Sequence, residues 1–522
     1  MPEVLIPGAH PDSPRAAEPC ARARVTLVRP PTLQVVNSLS YYGAIPPVGI
    51  AYVAATLRHA EHDVAVIDAS GEALGQSRRF ETPIGPVQMV GLSPAEIVER
   101  IDPATRVLGI TNMFFHEWPL VREISERARA RFPHLSIVLG GENASAFWEE
   151  IFRQTEAVDY CVLGEGEATI VELVARLLRG ESPQGMAGVA WRGGEALAAR
   201  RLSDLDAIPW PAWDLFPLEN YLSATCPFGV NRGRSIPMLA SRGCPYQCTF
   251  CSSPQMWTTR YGTRDPRDVV AEIKTYVERY AIDNVDFCDL TAILEKEWIV
   301  EFCRVLEAEK VRITWQLPVG TRSEALDEEV LRLLYRTGCR NVNYAPESGS
   351  ARMLRAIKKK VKIPRLLKSL HTASKIGLVT GVNIIVGHPE ERRRDLWQTF
   401  WFLQRCAWLG SQDASVMVFA PYPGSEDYRK LKAAGRLDMP GDEACYLSLA
   451  RAGRSPRTYN PNMGRHELIL WQFGLLLSFY VSAYLRRPWR LLDLLRSLWT
   501  GREESRVEML VTTKLRQVRS AL

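Results

Sequence analysis

The sequence predicts an α/β chain: an N-terminal doubly wound, Rossmann-like sheet, then a partial (β/α)6 barrel of TIM type, then a helical C-terminal tail. Three observations lead there. Short apolar runs alternate with helical periodicity from Arg24 onward, the rhythm of parallel βα units. A stretch with little periodicity, 185–234, interrupts that rhythm. Six further βα units follow it, too few for a closed eightfold barrel.

In the first series, Arg24 opens a strand, Val48 to His59 forms a helix and Asp63 to Asp68 a second strand. A polar loop then runs from Ala69 to about Ser93, with a helix over 94–101. A strand at 107–111, a helix at 119–131 and a strand at 136–139 running into Gly140 and Gly141 come next. A helix at 144–153, a strand at 160–163 and a helix at 169–178 complete a sheet of about five strands, closing near Ser182. The second series places strands at 284–288, 313–317, 341–345, 379–386 and 413–419, with helices between them, behind a first strand in PMLASRG. The expected division is therefore a flexible leader over 1–23, domains over 24–184 and 235–430 with a linker over 185–234, and a tail over 431–522.

The chain has 522 residues, 46% hydrophobic and 24% charged, which excludes a small disulfide scaffold and extended disorder. A net charge of +6 is mild at this length, and no basic stripe interleaved with aromatics suggests nucleic acid. Eleven cysteines, an odd number, and a proline-broken leader without an apolar core point to a reduced, cytoplasmic setting. In the tail, Leu468 to Leu485 runs eighteen residues without a charge before Arg486, Arg487 and Arg490. Three placements are open to it: packed on the barrel, in peripheral membrane contact, or spanning.

SRGCPYQCTFC carries three thiols, Cys244, Cys248 and Cys251, on a loop just after a strand. Thiolates so closely spaced wrap one iron-sulfur cluster. A structural zinc ion would need a fourth ligand, for which Cys226 stands upstream, and a redox CxxC pair would leave the third thiol unexplained. Asp289, Glu347 and Gly387 each follow a strand, as Cys244 does, so all belong at one mouth of the barrel. Either carboxylate also suits a helix cap. In the first domain, Gly140, Gly141 and Glu142, and Gly164, Glu165, Gly166 and Glu167, follow successive strands where a backbone approaches a bound group; tight turns alone are the bland alternative.

A CxxxCxxC loop opening a partial βα barrel resembles the radical S-adenosylmethionine superfamily. The preceding doubly wound domain and the PWPAWD linker resemble its cobalamin-binding subgroup, over roughly residues 24–430. The resemblance implies that the three cysteines hold a 4Fe-4S cluster whose fourth iron binds S-adenosylmethionine. It places Asp289 and Arg322 near that molecule, Glu347 and Ser348 at its ribose and methionine, and Gly387 on its adenine side. Tyr246 and Phe250 would shield the cluster. By the same analogy the GGE and GEGE loops hold the nucleotide tail of cobalamin, with Pro46, Pro47 and Gly49 as another wall. The Asp-x-His-x-x-Gly motif that supplies a lower axial histidine is absent. His59 and His62 read as a solvated helix end, while His116 or Trp118 would lie under the corrin, and cobalamin without a protein histidine ligand is expected.

The subgroup implies an enzyme acting on a small molecule with an external electron donor of flavodoxin or ferredoxin type. Methyl transfer to a carbon leads. Oxidative cyclisation like that of the anaerobic magnesium-protoporphyrin monomethyl ester cyclase is the rival, with rearrangements behind it and a non-enzymatic cofactor carrier or membrane-tethered scaffold outside the enzyme class. The substrate has no motif of its own.

Overall fold

A computed structural model describes residues 22–35, 44–81, 86–224, 228–291, 293–437, 458–500 and 503–521. The leader up to residue 21, Cys20, Cys226 and Cys445 lie outside the described residues. The N-terminal sheet contains β1 (Arg24–Arg29), β2 (Asp63–Asp68), β3 (Val107–Thr111), β4 (Ser136–Gly140), β5 (Tyr160–Val162) and β6 (Val189–Trp191), in the order β2-β1-β3-β4-β5-β6. The first five are parallel and β6 is antiparallel to β5. Strand order reverses between β1 and β3, so the crevice beyond their carboxyl ends is the ligand-binding place of such a sheet.

Two expectations need correction. The sheet has six strands rather than five, because a piece of the stretch read as linker adds β6 to its edge. The loop after β2 also contains structure: a helical turn at Ala69–Glu72 and strands Ser77–Phe80 and Val87–Val90, which join Thr32–Val35 in a small antiparallel sheet. Ser77–Phe80 is exposed at every residue, so it carries no alternation to read. Leu33, Val87 and Met89 bury a small core there, with Leu120 packed against it.

The barrel strands are β7 (Ser235–Met238), β8 (Asn284–Phe287), β9 (Thr314–Thr321), β10 (Cys339–Glu347), β11 (Val379–Val386) and β12 (Asp413–Val418). They are parallel and neighbour one another in chain order. Helices such as Pro266–Tyr280 and Arg393–Leu409 cover them. Helix signals are local: Asp265 caps Pro266–Tyr280 and left-handed Gly377 ends Ile363–Ile376. Trp213 and Tyr221, from the 185–234 stretch, are fully buried, and Trp213 belongs to an apolar core continuous from the first sheet into the barrel.

The charge-free run forms the helix Arg465–Arg486, which lies along Arg393–Leu409 and β12. Leu468, Gln472, Leu475, Phe479 and Ala483 face inward at helical spacing. The polar residues on this helix pair with the barrel: Gln472 donates to the Val416 carbonyl (2.7 Å), while Ser478 and Ser482 bond Gln404.

Candidate active site between two rows of strand ends

The thiol loop is pinched at its base. Ser241–Arg242 pairs antiparallel with Gly262–Thr263, and Gly243 follows at φ +87°, where a Cβ would stand 2.1 Å from the Arg260 carbonyl oxygen. Only glycine fits there. Asp289, fully buried after β8, accepts bonds from the Ala240 amide (3.0 Å) and from the Ser241 amide and hydroxyl, fixing the approach to Cys244. Burial raises its carboxyl to about 6, and its Oδ2 has no partner.

Cys244, Cys248 and Cys251 are free and partly buried. The Cys251 amide donates to the Cys248 carbonyl (3.1 Å), Thr291 donates to the Cys244 sulfur (3.4 Å), and Ser253 lies 3.2 Å from the Cys251 sulfur. Burial raises both later thiols, Cys251 to about 11. Among the described residues, no three His, Cys, Asp or Glu side chains converge on one metal ion. A zinc site would need that convergence, whereas a four-iron cluster takes its thiolates at separate corners.

Around these thiols, Arg322 lays its guanidinium over the Tyr246 ring at 3.8 Å, bonds the Lys360 carbonyl and pairs its Nε with Glu324 at 3.5 Å. Glu347 ends β10 at φ +68°, a strained conformation for a non-glycine residue, and accepts from Lys359 at 3.0 Å. Burial raises its carboxyl and the Lys359 charge opposes that shift. The Ser348 hydroxyl is fully buried and taken up by Thr399 and the Ser350 amide. Gly387, at φ +86°, faces Leu468 of the tail helix, and its amide donates to Glu391. Burial raises Glu391 to about 8 and holds His388 near 3, so the imidazole is neutral. Both ring nitrogens of His388 and Oε1 of Glu391 lack partners. Phe250 packs edge-on against His388 at 5.7 Å.

At the other row, Gly141 (φ +107°) places its would-be Cβ 2.9 Å from the Asn112 carbonyl oxygen, and Gly140 has open space. Gly141 caps Glu142–Gln154 and Glu165 caps Gly166–Leu178, neither with a side-chain bond, and in the first of these helices the Ala144 amide donates to the Asn112 carbonyl (3.3 Å). Asn112 and Asn143 are buried with both amide atoms unpartnered. Pro46 is buried and Gly49 exposed at the start of Val48–His59. His116 stacks on Phe114 (5.5 Å), and burial lowers its ring to about 4. Trp118 is a core residue donating to Gln154 (2.8 Å), not a corrin contact. His62 is buried at the amino end of β2, away from the strand ends, rather than solvated.

The two rows meet. Ser252, next to Cys251, donates to Glu142, and Arg242, two residues before Cys244, pairs with Glu167 (2.6 Å) and Glu165 (3.6 Å). Arg201 adds a bond to Glu165 at 2.9 Å. The carboxylates of Glu165 and Glu167 are therefore committed to this clamp, and their loop offers a ligand its backbone. Sequence reading missed Arg242, Lys359, His388, Asn112 and Asn143. Their significance lies in burial and partners, which no local pattern announces.

The chain matches the B12 binding domain family over residues 35–174 and the Radical SAM superfamily over 238–403. An uncharacterized methyltransferase of Pyrococcus horikoshii is 27% identical, over 89% of this chain and 93% of the relative. The cytidylyl-2-hydroxyethylphosphonate methyltransferase of Streptomyces wedmorensis is 26% identical, over 78% and 81%. An anaerobic magnesium-protoporphyrin IX monomethyl ester cyclase of Rubrivivax gelatinosus is also 26% identical, over 74% and 67%. Among solved structures, the fold is shared with the methyltransferase TsrM of Kitasatospora setae with cobalamin and a 4Fe-4S cluster bound (TM-score 0.60, 18% identity, 81% and 80% covered). It is shared also with the cobalamin-dependent radical enzyme OxsB with aqua-cobalamin bound (TM-score 0.65, 15% identity, 96% and 81% covered). The unpartnered polar groups at both rows fit these cofactors, and the chain belongs to the radical S-adenosylmethionine enzymes that carry a cobalamin-binding domain, with a 4Fe-4S cluster, S-adenosylmethionine and cobalamin as its cofactors.

Proposed function

We propose that this enzyme transfers a methyl group to a carbon of a small-molecule substrate held between the two rows of strand ends. The observation that carries this reading is their direct contact: the thiol loop touches the B12-binding domain through Ser252 and Glu142, and through Arg242 with Glu165 and Glu167. A reaction needing both cofactors at one substrate requires that closeness. When bound, the reduced cluster and S-adenosylmethionine supply a hydrogen-abstracting radical and cobalamin supplies the methyl group.

The residues divide the work. Cys244, Cys248 and Cys251 would hold the cluster, with Asp289 fixing the backbone that leads into them. Arg322, Glu347 with its Lys359 counter-charge, and the Gly387 loop would hold S-adenosylmethionine, with the unpartnered Asp289 Oδ2 as a further contact. Ser348 positions the strand end through Thr399. Gly140, Gly141 and Glu165 to Glu167 would offer backbone to the cobalamin tail, with Gly164, whose amide donates to Ser145 (2.9 Å), shaping the turn and Asn112 and Asn143 as amide partners. Pro46 and Gly49 would wall the same ligand, and His116 would stand beside it as a neutral ring. Leu468 against Gly387 excludes water from that side. A flavodoxin- or ferredoxin-type protein would deliver the electron, and the tail helix would lie peripheral to a membrane.

The test is anaerobic. The reconstituted enzyme is given reductant, S-adenosylmethionine and a small-molecule extract of the source cells, and both products of S-adenosylmethionine are quantified by mass spectrometry. Substrate-dependent 5′-deoxyadenosine with matching S-adenosylhomocysteine supports methyl transfer. 5′-Deoxyadenosine alone would assign the enzyme to cyclisation or rearrangement.

A further inference from the structure

The tail helix Arg465–Arg486 has two faces. Leu468, Leu475, Phe479 and Ala483 pack on the barrel, while Leu470, Phe473, Leu477, Val481 and Leu485 point outward, Leu485 at 76% exposure. Next to it, the helix Arg393–Leu409 turns Trp397, Trp401 and Trp408 to the same solvent, Trp401 at 64%. The helix Arg490–Thr500 extends the apolar surface with Leu491, Leu492, Leu495 and Trp499, the last 92% exposed. An apolar groove of about 350 Å³ runs between Trp397, Phe400, Leu470 and Trp471, over the bare Gly474. A soluble monomer rarely leaves so continuous a patch open.

The charges around it indicate what covers it. Arg394, Arg405 and Arg486 are exposed beside the tryptophans, with the Arg486 guanidinium 5.7 Å from the Trp408 ring, and Asp493 is the acid on the outer helix. Glu467 is neutralised by Arg393 at 2.6 Å. A second copy docked through a twofold axis would bring one arginine rim against another. An anionic lipid surface answers the arginines, takes the leucines, and seats tryptophans at the headgroup level. Crossing the bilayer is a different matter. The helix is long and apolar enough by composition, but its inner face is bound to the barrel, down to Gln472 donating to the Val416 carbonyl.

We infer that this three-helix face docks on the surface of an anionic phospholipid bilayer, lying in the interface with its tryptophans inserted. The inference deepens the peripheral placement of the tail proposed above and is independent of the methyl-transfer reading. The test is co-sedimentation of the reconstituted holoenzyme with vesicles of phosphatidylcholine alone or with one third phosphatidylglycerol, at low and high salt. Binding is expected to favour the anionic vesicles and to weaken with salt. Replacing Trp401→Ser and Leu477→Ser together should lower partitioning at least about tenfold. Arg405→Gln and Arg486→Gln should each lower it roughly fivefold on anionic vesicles and leave neutral ones unaffected. Iron content equal to that of the parent confirms folding of each variant. Absence of binding to either vesicle overturns the peripheral placement itself, and equal binding to both, insensitive to the arginines, overturns the anionic assignment alone. Retention through an alkaline wash would make the helix a span. A dimer dissolved by the tryptophan variant without any change in lipid binding would give the face to a second copy.

Discussion

At the carboxyl ends of the N-terminal strands, two buried neutral amides, Asn112 and Asn143, have no hydrogen-bond partner beside the open Gly140; at those of the barrel, unpartnered atoms stand on ionisable groups, Asp289, Glu391 and His388. The same topological position thus carries two chemistries. Amides and backbone suit a large ligand gripped along its length, as Gly141 and the uncapped helix starts do. Charged groups around thiols suit a small zwitterionic ligand whose amino and carboxylate groups need fixed counterparts. Between the rows, Arg242 with Glu165 and Glu167 holds one register.

The contrast can be broken from either side. The largest effect is expected from Cys248→Ala, which should reduce iron content and S-adenosylmethionine cleavage to background while cobalamin binding persists, as read by metal analysis and absorbance. Next is Arg242→Ala. It leaves the buried Glu167 without its cation, while Glu165 keeps Arg201, so unfolding should become easier by about 3–5 kcal/mol in a urea titration. Replacing Arg242 and Glu167 together with leucine or methionine should cost much less, because Glu165 keeps Arg201 and no charge is then stranded.

Smaller effects are expected from single polar groups in each row. Lys359→Met strips Glu347 of its counter-charge, and S-adenosylmethionine should bind about tenfold more weakly by equilibrium dialysis, the extra strength of one charge-assisted bond. Asn112→Ala with Asn143→Ala should act in two directions. The cofactor-free protein should gain about 1 kcal/mol, since unsatisfied buried amides are removed, while cobalamin binds more weakly. A loss of stability in that variant would mean the amides serve the fold.

Much of this was legible in the sequence, for reasons that differ by region. Pro266–Tyr280 and Val379–Val386 match their expected bounds because strands buried on both faces and capped amphipathic helices leave strong local signals. Ser77–Phe80 and Val189–Trp191 were not readable: the first is exposed throughout, and the second is three residues paired at a sheet edge. The thiol loop announces itself because cluster ligation needs cysteines at short spacing. Lys359 does not, since within KKKVK it looks like a solvated charge and only β10 brings it to Glu347. The GEGE loop was read for its glycines, whereas its carboxylates answer arginines far along the chain.

Two separately built rows of strand ends should load two cofactors into one shared space. Measuring iron and cobalamin together, per chain, in the reconstituted parent, in Cys248→Ala and in Asn112→Ala with Asn143→Ala tests it directly. Both cofactors are expected in the parent, cobalamin without iron in the cysteine variant, and iron with weakened cobalamin in the asparagine variant. A parent that takes up iron but never cobalamin, or a cysteine variant that loses both, would contradict it.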